Sequence, residues 1–185
     1  MSEVTELIGR LRGGDRAAFD GLYALLYPEL RRVAHRRLAR NGHDGGMQTT
    51  ALVHECYLRF QGAGQVAPAD RSHFLAYAAS VMRSVVVDAA RTAASQRQGG
   101  EVEHLPIDTE LAGRLTDPGA AEVLELHAAL ADLARLDARL AQVVELRYFG
   151  GLTDAEIGEV LGLSVRTVAR DWDKARLLLA HALRA

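Results

Sequence analysis

Apolar residues recur along this chain at intervals of three and four, the spacing that places them on one face of a helix, and no stretch alternates as a strand would. Val4, Leu7, Ile8 and Leu11 make a short amphipathic helix closed by Gly13-Gly14. Asp15 caps a longer one carrying Phe19, Leu22, Tyr23, Leu26, Leu30, Val33 and Leu38, in which Pro28 predicts a kink or a local break. Residues 41–47 read as a flexible loop. Helices follow from about Thr50 to Phe60 and from about Ser72 to Gln98, the second with Phe74, Tyr77, Ala78, Val81, Met82, Val85 and Ala89 on its core face.

From 99 to 117 the period lapses into Gly, Pro, Asp and Glu, which reads as a linker. Asp117-Pro118 then opens a helix with Leu124, His127, Leu130 and Leu133. Asp137 caps the next, with Leu140, Val143, Val144 and Leu146 inside. Thr153 and Glu156 have the spacing of a capping box, and their short helix ends at Gly162; Ser164 caps the last helix. The pattern predicts an all-α fold of two small helical domains, 1–98 and 118–185, joined by an acidic linker, 99–117, with a helix-turn-helix in the second domain.

Composition adds exclusions. Aromatics are 5% of the chain against 49% hydrophobic residues, a profile of Leu, Ala and Val helices rather than of a β-sandwich. The single Cys56 rules out an internal disulfide and a multi-cysteine zinc site. No apolar run approaches the ~20 residues of a membrane helix and no basic-then-apolar leader opens the chain, so the expected location is cytoplasmic. Net charge is only −2, but it is unevenly spread: residues 1–100 carry +4, residues 101–125 carry −6 and residues 164–185 carry +3. An acidic block thus separates two parts that can each face phosphate.

In the final helix Val165, Val168, Trp172, Ala175 and Leu179 form the buried stripe, and Arg166, Arg170 and Lys174, four residues apart, form the opposite one, with Thr167 and Asp171 beside them. Preceded by a short capped helix and a Gly-containing turn, this is the grammar of a helix whose first turn reaches base edges while flanking cations hold phosphates. Ser164, Val165, Arg166, Thr167, Arg170, Lys174 and Arg176 are the candidate contacts. The competing reading is a solvated charged face. The arginines at 31, 32, 36, 37 and 40 spread over more than half a helix circumference, and there the solvated face is the default.

The run Leu140-Ala-Gln-Val-Val-Glu-Leu-Arg-Tyr-Phe-Gly-Gly-Leu-Thr153, with Glu156-Ile157, Leu161-Gly-Leu-Ser164, Thr167-Val168, Arg170, Trp172 and Ala175-Arg176, resembles the promoter-binding C-terminal domain of sigma factors of the extracytoplasmic-function (ECF) group. Ala51-Leu-Val-His-Glu-Cys-Tyr-Leu-Arg-Phe60 looks like the family helix that binds the polymerase clamp, and Phe74 to Arg91 like the helix that opens the promoter. The resemblance covers about 1–98 and 120–182. It implies a factor that directs core RNA polymerase, through clamp and flap, to promoter DNA, with an anti-sigma factor or a Ser/Thr kinase as a candidate regulator and no cofactor, metal or enzymatic activity. It assigns the minus-35 element to the final helix. Unpaired minus-10 bases go to Arg71, His73, Tyr77, Arg83, Ser84 and Arg91, with loop 61–71 as a base pocket, and polymerase goes to Leu52, Val53, Glu55, Leu58 and Arg59. On the apolar stripe, Phe74 and Tyr77 also read as core, and Asp88 as a partner for Arg91 or Arg83.

Two departures stand out. Arg83-Ser84 replaces the family's usual Arg-Asn, and Met47-Gln-Thr-Thr50 replaces acids before the clamp-binding helix, where Glu55 is the only acid through Phe60. Phosphorylation of Thr49 or Thr50 would supply about −1.5 to −2 charge there; the competing reading is that both are helix N-caps. The chain resembles an atypical ECF-like subgroup with Thr-Ala-Leu-Val-His-Glu at this position. A one-component regulator with an N-terminal sensor or dimerisation domain would keep the meaning of the C-terminal half. An enzyme built on His35, His43, His54, His73 and Glu55 lacks the spacing of a known metal or nucleophile motif.

Overall fold

The computed structural model describes residues 3–39, 46–62, 68–97 and 120–183. Among these, eight helices and no strand are found: α1 Glu3–Arg12, α2 Ala17–Ala39, α3 Gly46–Gly62, α4 Arg71–Arg97, α5 Ala120–Leu136, α6 Ala138–Tyr148, α7 Asp154–Leu161 and α8 Val165–Ala182. The fold is all-α, as the 3.6-residue period predicts. The expected linker, 99–117, lies outside the described residues, as do Asp117-Pro118 and residues 41–45.

Local chemistry explains most boundaries. The Asp15 side chain accepts from the Ala17 N–H at 3.0 Å and pairs with Arg10, whose guanidinium holds its carboxyl below the usual range. Asp137 accepts from Leu140 N–H. Thr153 and Glu156 exchange both bonds of the capping box, and Gly162 ends α7 at φ 66°, a left-handed value that glycine adopts without strain.

Two expectations are corrected. Of the kink or break expected at Pro28, the break does not occur: α2 runs unbroken through it. Pro28 and Ala24, the residue whose carbonyl it cannot bond, are both exposed, so water takes that carbonyl. Helix α3 starts at Gly46 rather than near Thr50, so Thr49 and Thr50 lie inside it and are not its N-caps. Burial of Thr49 to 1% exposure shows why: this turn packs on the core, and packing overrides the weak helix propensity of Gly and Thr.

The first four helices close on an aromatic centre. Phe60 and Phe74 stack at 5.8 Å, and Phe19, Tyr23 and Tyr57 surround them. The Tyr23 hydroxyl donates to the Val53 carbonyl, and burial pushes its pKa far up, keeping it a donor. Helix α4 serves two cores at once. Phe74, Met82 and Val85 face α1–α3, whereas Ala79 packs with Leu130, Leu133, Leu140, Phe149 and Leu179 of the last four helices.

Gly150 permits that second contact. A Cβ there would meet the Ala79 Cβ and Leu152 Cδ1 at 2.7 Å and the Leu146 carbonyl at 2.6 Å. Gly150→Ala should therefore lower stability by about 1–3 kcal/mol, read as a fall in the thermal midpoint. An unchanged midpoint would show that the α4–α6 approach is looser than described.

Candidate functional site

Polar residues expected to touch nucleic acid fall on two surfaces. The first is α8. Ser164 caps it, its Oγ accepting from the Thr167 N–H at 3.2 Å and bonding the Thr167 hydroxyl at 2.8 Å. Val168, Ala175 and Leu179 are buried, but Val165, expected on the same stripe, is 54% exposed because the first turn of α8 projects beyond the core; Arg166, Arg170, Lys174 and Arg176 are exposed. The pairs Lys174–Asp137 and Arg176–Asp173 are long, 3.9 and 3.6 Å, with mostly solvated cations, so each separates at little cost, and Arg170 lies 3.5 Å from the buried Asp171. Trp172 is half-buried, with the Arg147 guanidinium 4.7 Å above its ring. The helix thus offers an exposed first turn and a row of loosely held cations.

The second surface is the polar edge of α4, and here the structure adds what periodicity did not show. Arg71 binds Glu29 of α2 and, at 2.9 Å, Glu156 of α7. Both contacts favour its charged form, the Glu29 bond most. Burial alone would raise Glu156, but the Thr153 N–H and the Arg71 guanidinium outweigh it and hold the carboxyl below the usual range. Ser72 donates to Glu159 at 2.9 Å. Arg83 binds Glu145 of α6, lies 3.2 Å from His127 Nδ1 of α5 and sits 5.8 Å from the Phe149 ring centre.

Two of the six residues assigned to minus-10 bases, Arg71 and Arg83, are therefore covered by acids of the last four helices. His73 turns to Asp70 at 2.9 Å; burial alone would raise the Asp70 carboxyl, but the His73 backbone and ring bonds lower it. Tyr77 packs on Phe60 at 5.1 Å, the core role, and Phe74 is fully buried. Asp88 pairs with Arg59 at 2.8 Å and Arg91 at 3.5 Å, and not with Arg83.

The residues assigned to polymerase on α3 divide. Leu52 and Val53 are wholly buried, so the expectation that they touch a partner is corrected: their face of α3 packs into the core. Glu55 is also buried, and Arg59 reaches across to Ser84 at 2.7 Å and Asp88, tying α3 to α4. Leu58, 48% exposed, and His54 remain on the open face. Thr50 is exposed and lines a cleft with Asp20, Tyr23, Tyr27, His54 and Tyr57. Of the arginine-rich run, Arg31 and Arg32 are exposed; the side chains of Arg36 and Arg37, and Arg40 itself, lie outside the described residues, as does His43.

Among the described residues no group of three or more His, Cys, Asp or Glu side chains is placed to hold a metal ion, and no helix is long and apolar enough to cross a membrane. Sequence reasoning missed Glu145, Glu156, Glu159 and His127 as partners of α4. Their signal was present as charge: residues 126–163 carry six acids against three arginines.

Compared with known proteins, the family model described as ECF sigma factor matches residues 1–185, the whole chain. No curated protein sequence matches it significantly.

The α4 contact should respond to acid. His127 faces Arg83, Arg91, Asp88 and Glu145; burial and then the Arg83 charge hold its pKa below the ordinary 6.5. Its neutral form therefore stabilises the closed contact fully above 6.5, and that stabilisation is lost as pH falls from there through the depressed value. Small-angle scattering should show expansion as the pH is lowered below 6.5 and none above it, with a smaller step in His127→Gln. An equal step in both would exclude His127 as the cause.

Proposed function

The chain belongs to the ECF sigma factor family and acts in transcription initiation with core RNA polymerase at promoter DNA; on that premise we propose how its helices divide the task. Helix α8 enters the major groove of the minus-35 element, Ser164, Val165, Arg166 and Thr167 facing base edges and Arg170, Lys174 and Arg176 the backbone. The observation that carries this reading is the exposed, Ser164-capped first turn continuing into an unburied basic row. The exposed Leu177, Leu178 and Leu183 at the other end of α8 are assigned to the polymerase flap, a surface for which an anti-sigma factor would compete.

The outer face of α3, around His54 and Leu58, docks on the clamp, with the Arg59–Asp88 and Arg59–Ser84 bonds fixing α3 against α4. Along α4, Arg71, His73, Arg83, Ser84 and Arg91 hold the separated minus-10 strand, its phosphates taken by the cations. In the free protein Arg71 and Arg83 are occupied by Glu29, Glu156 and Glu145. Polymerase must therefore draw α5–α8 away from α4 before these arginines meet DNA.

Regulation is assigned to Thr50. No acid lies in the first turn of α3. Thr49 is buried and Thr50 exposed, so a Ser/Thr kinase would act on Thr50, adding negative charge beside the clamp-facing surface.

Run-off transcription with core polymerase, on promoters found by sequencing transcripts after overexpression, should show initiation only when the protein is added, at sites sharing two elements. Duplex binding by the protein alone without initiation would favour the one-component regulator. Thr50→Asp should raise polymerase affinity and transcription above wild type; equal values would remove the phosphorylation reading.

A further inference from the structure

Asp171 stands out on a helix read as facing DNA. Its side chain is 2% exposed and lies between Val168 and Ala175 on the buried stripe of α8. A buried carboxylate is costly unless paired, and an apolar side chain in such a place is often no less stable. Its partners are two arginines from different helices. Arg139 Nε of α6 lies 2.7 Å from Oδ2, and Arg170 Nη2 lies 3.5 Å from Oδ1. Oδ2 receives no aligned hydrogen bond, so the Arg139 contact is ionic.

Arg139 is the second residue of α6, next to the Asp137 cap, and Asp137 lies 3.9 Å from Lys174. The first turn of α6 therefore runs beside Arg170, Asp171 and Lys174. The Arg139 side chain is 48% exposed and meets Asp171 through Nε. Close to half of the side chain is therefore open to solvent.

We propose that Asp171 is a positioning residue that fixes Arg139 beside Arg170, and that Arg139 contacts a phosphate of the strand bordering the groove that α8 enters. The inference rests on the groove reading of α8 and extends the DNA surface onto α6. A guanidinium paired on one side and open to solvent on the other can turn its exposed donors to phosphate oxygens and loses less rotamer freedom on binding. The place of Arg139 at the positive end of α6 strengthens the local field. Such a contact adds affinity and orientation without reading sequence.

The test uses holoenzyme assembled from core polymerase and the full chain, with duplex promoter carrying either the cognate or a scrambled upstream element, over a series of salt concentrations. Arg139→Ala should weaken binding to both duplexes alike and reduce the slope of log affinity against log salt by about 1. Arg139→Lys, which keeps the charge, should recover most of that slope. Asp171→Asn removes a negative charge from the DNA side, which by net charge alone would tighten binding; the proposal requires several-fold weaker binding instead. Binding as tight as or tighter than wild type in Asp171→Asn, or an unchanged slope in Arg139→Ala, overturns the proposal. Should Asp171→Asn fail to fold, judged by its thermal melt, the Arg139 pair of variants decides alone. Arg166→Ala reports on the underlying reading: if it still discriminates cognate from scrambled DNA as wild type does, the groove reading of α8 falls too.

Discussion

Arg71 and Arg83 sit part-buried on a helix that packs apolar faces against both halves of the molecule, and each has an anion close by. A guanidinium cannot shed its charge, so the chain has to bring carboxylates to α4 or leave that edge in water. Glu29 comes from α2, but Glu156 and Glu145 come from α7 and α6. Those two pairs rim an apolar contact in which Val123, Val143, Leu146, Leu152 and Ile157 share one buried cluster with the first four helices and Ala79 packs into a second. Glu156 has a double task, because the carboxylate that closes the capping box with Thr153 through Oε2 also binds Arg71 through Oε1. A local helix-start signal is thereby tied to the arrangement of the whole molecule.

Arg71 and Arg83, two of the cations proposed to hold a separated strand, are closely paired in the free protein, whereas the cations of the α8 row have only long contacts and stay mostly solvated. On the proposed reading the two surfaces thus differ in readiness: the α8 surface would meet duplex as it stands, and the α4 surface would need a rearrangement driven by polymerase. Partly exposed ion pairs suit that task, because their net contribution is small and water replaces them readily.

Legibility in the sequence followed range. The starts of α6, α7 and α8 were readable because Asp137, Thr153 and Ser164 bond the backbone within three residues. The all-α class and the stripe of α8 were readable because burial on one face imposes a period. The start of α3 was not, since the burial of Thr49 follows from packing that no local rule reports. Glu156 was readable as a cap but its bond to Arg71 was not, and neither were those of Glu145 and Glu159 to α4, because these partners lie far apart in the chain. Asp171 was placed beside the basic stripe, although the period that buries Val168 and Ala175 also buries the residue between them.

The most direct test of the closed form and its release is the distance between α4 and α8 in the free protein and in holoenzyme. Dyes on Ser80→Cys and Ala182→Cys, both exposed positions, can report it, since the native Cys56 is buried and its burial pushes the thiol pKa up, slowing labelling. The account predicts high transfer efficiency in the free chain and a marked fall when core polymerase is added. Equal efficiency in the two states would contradict it, leaving Arg71 and Arg83 paired with protein acids while the factor works.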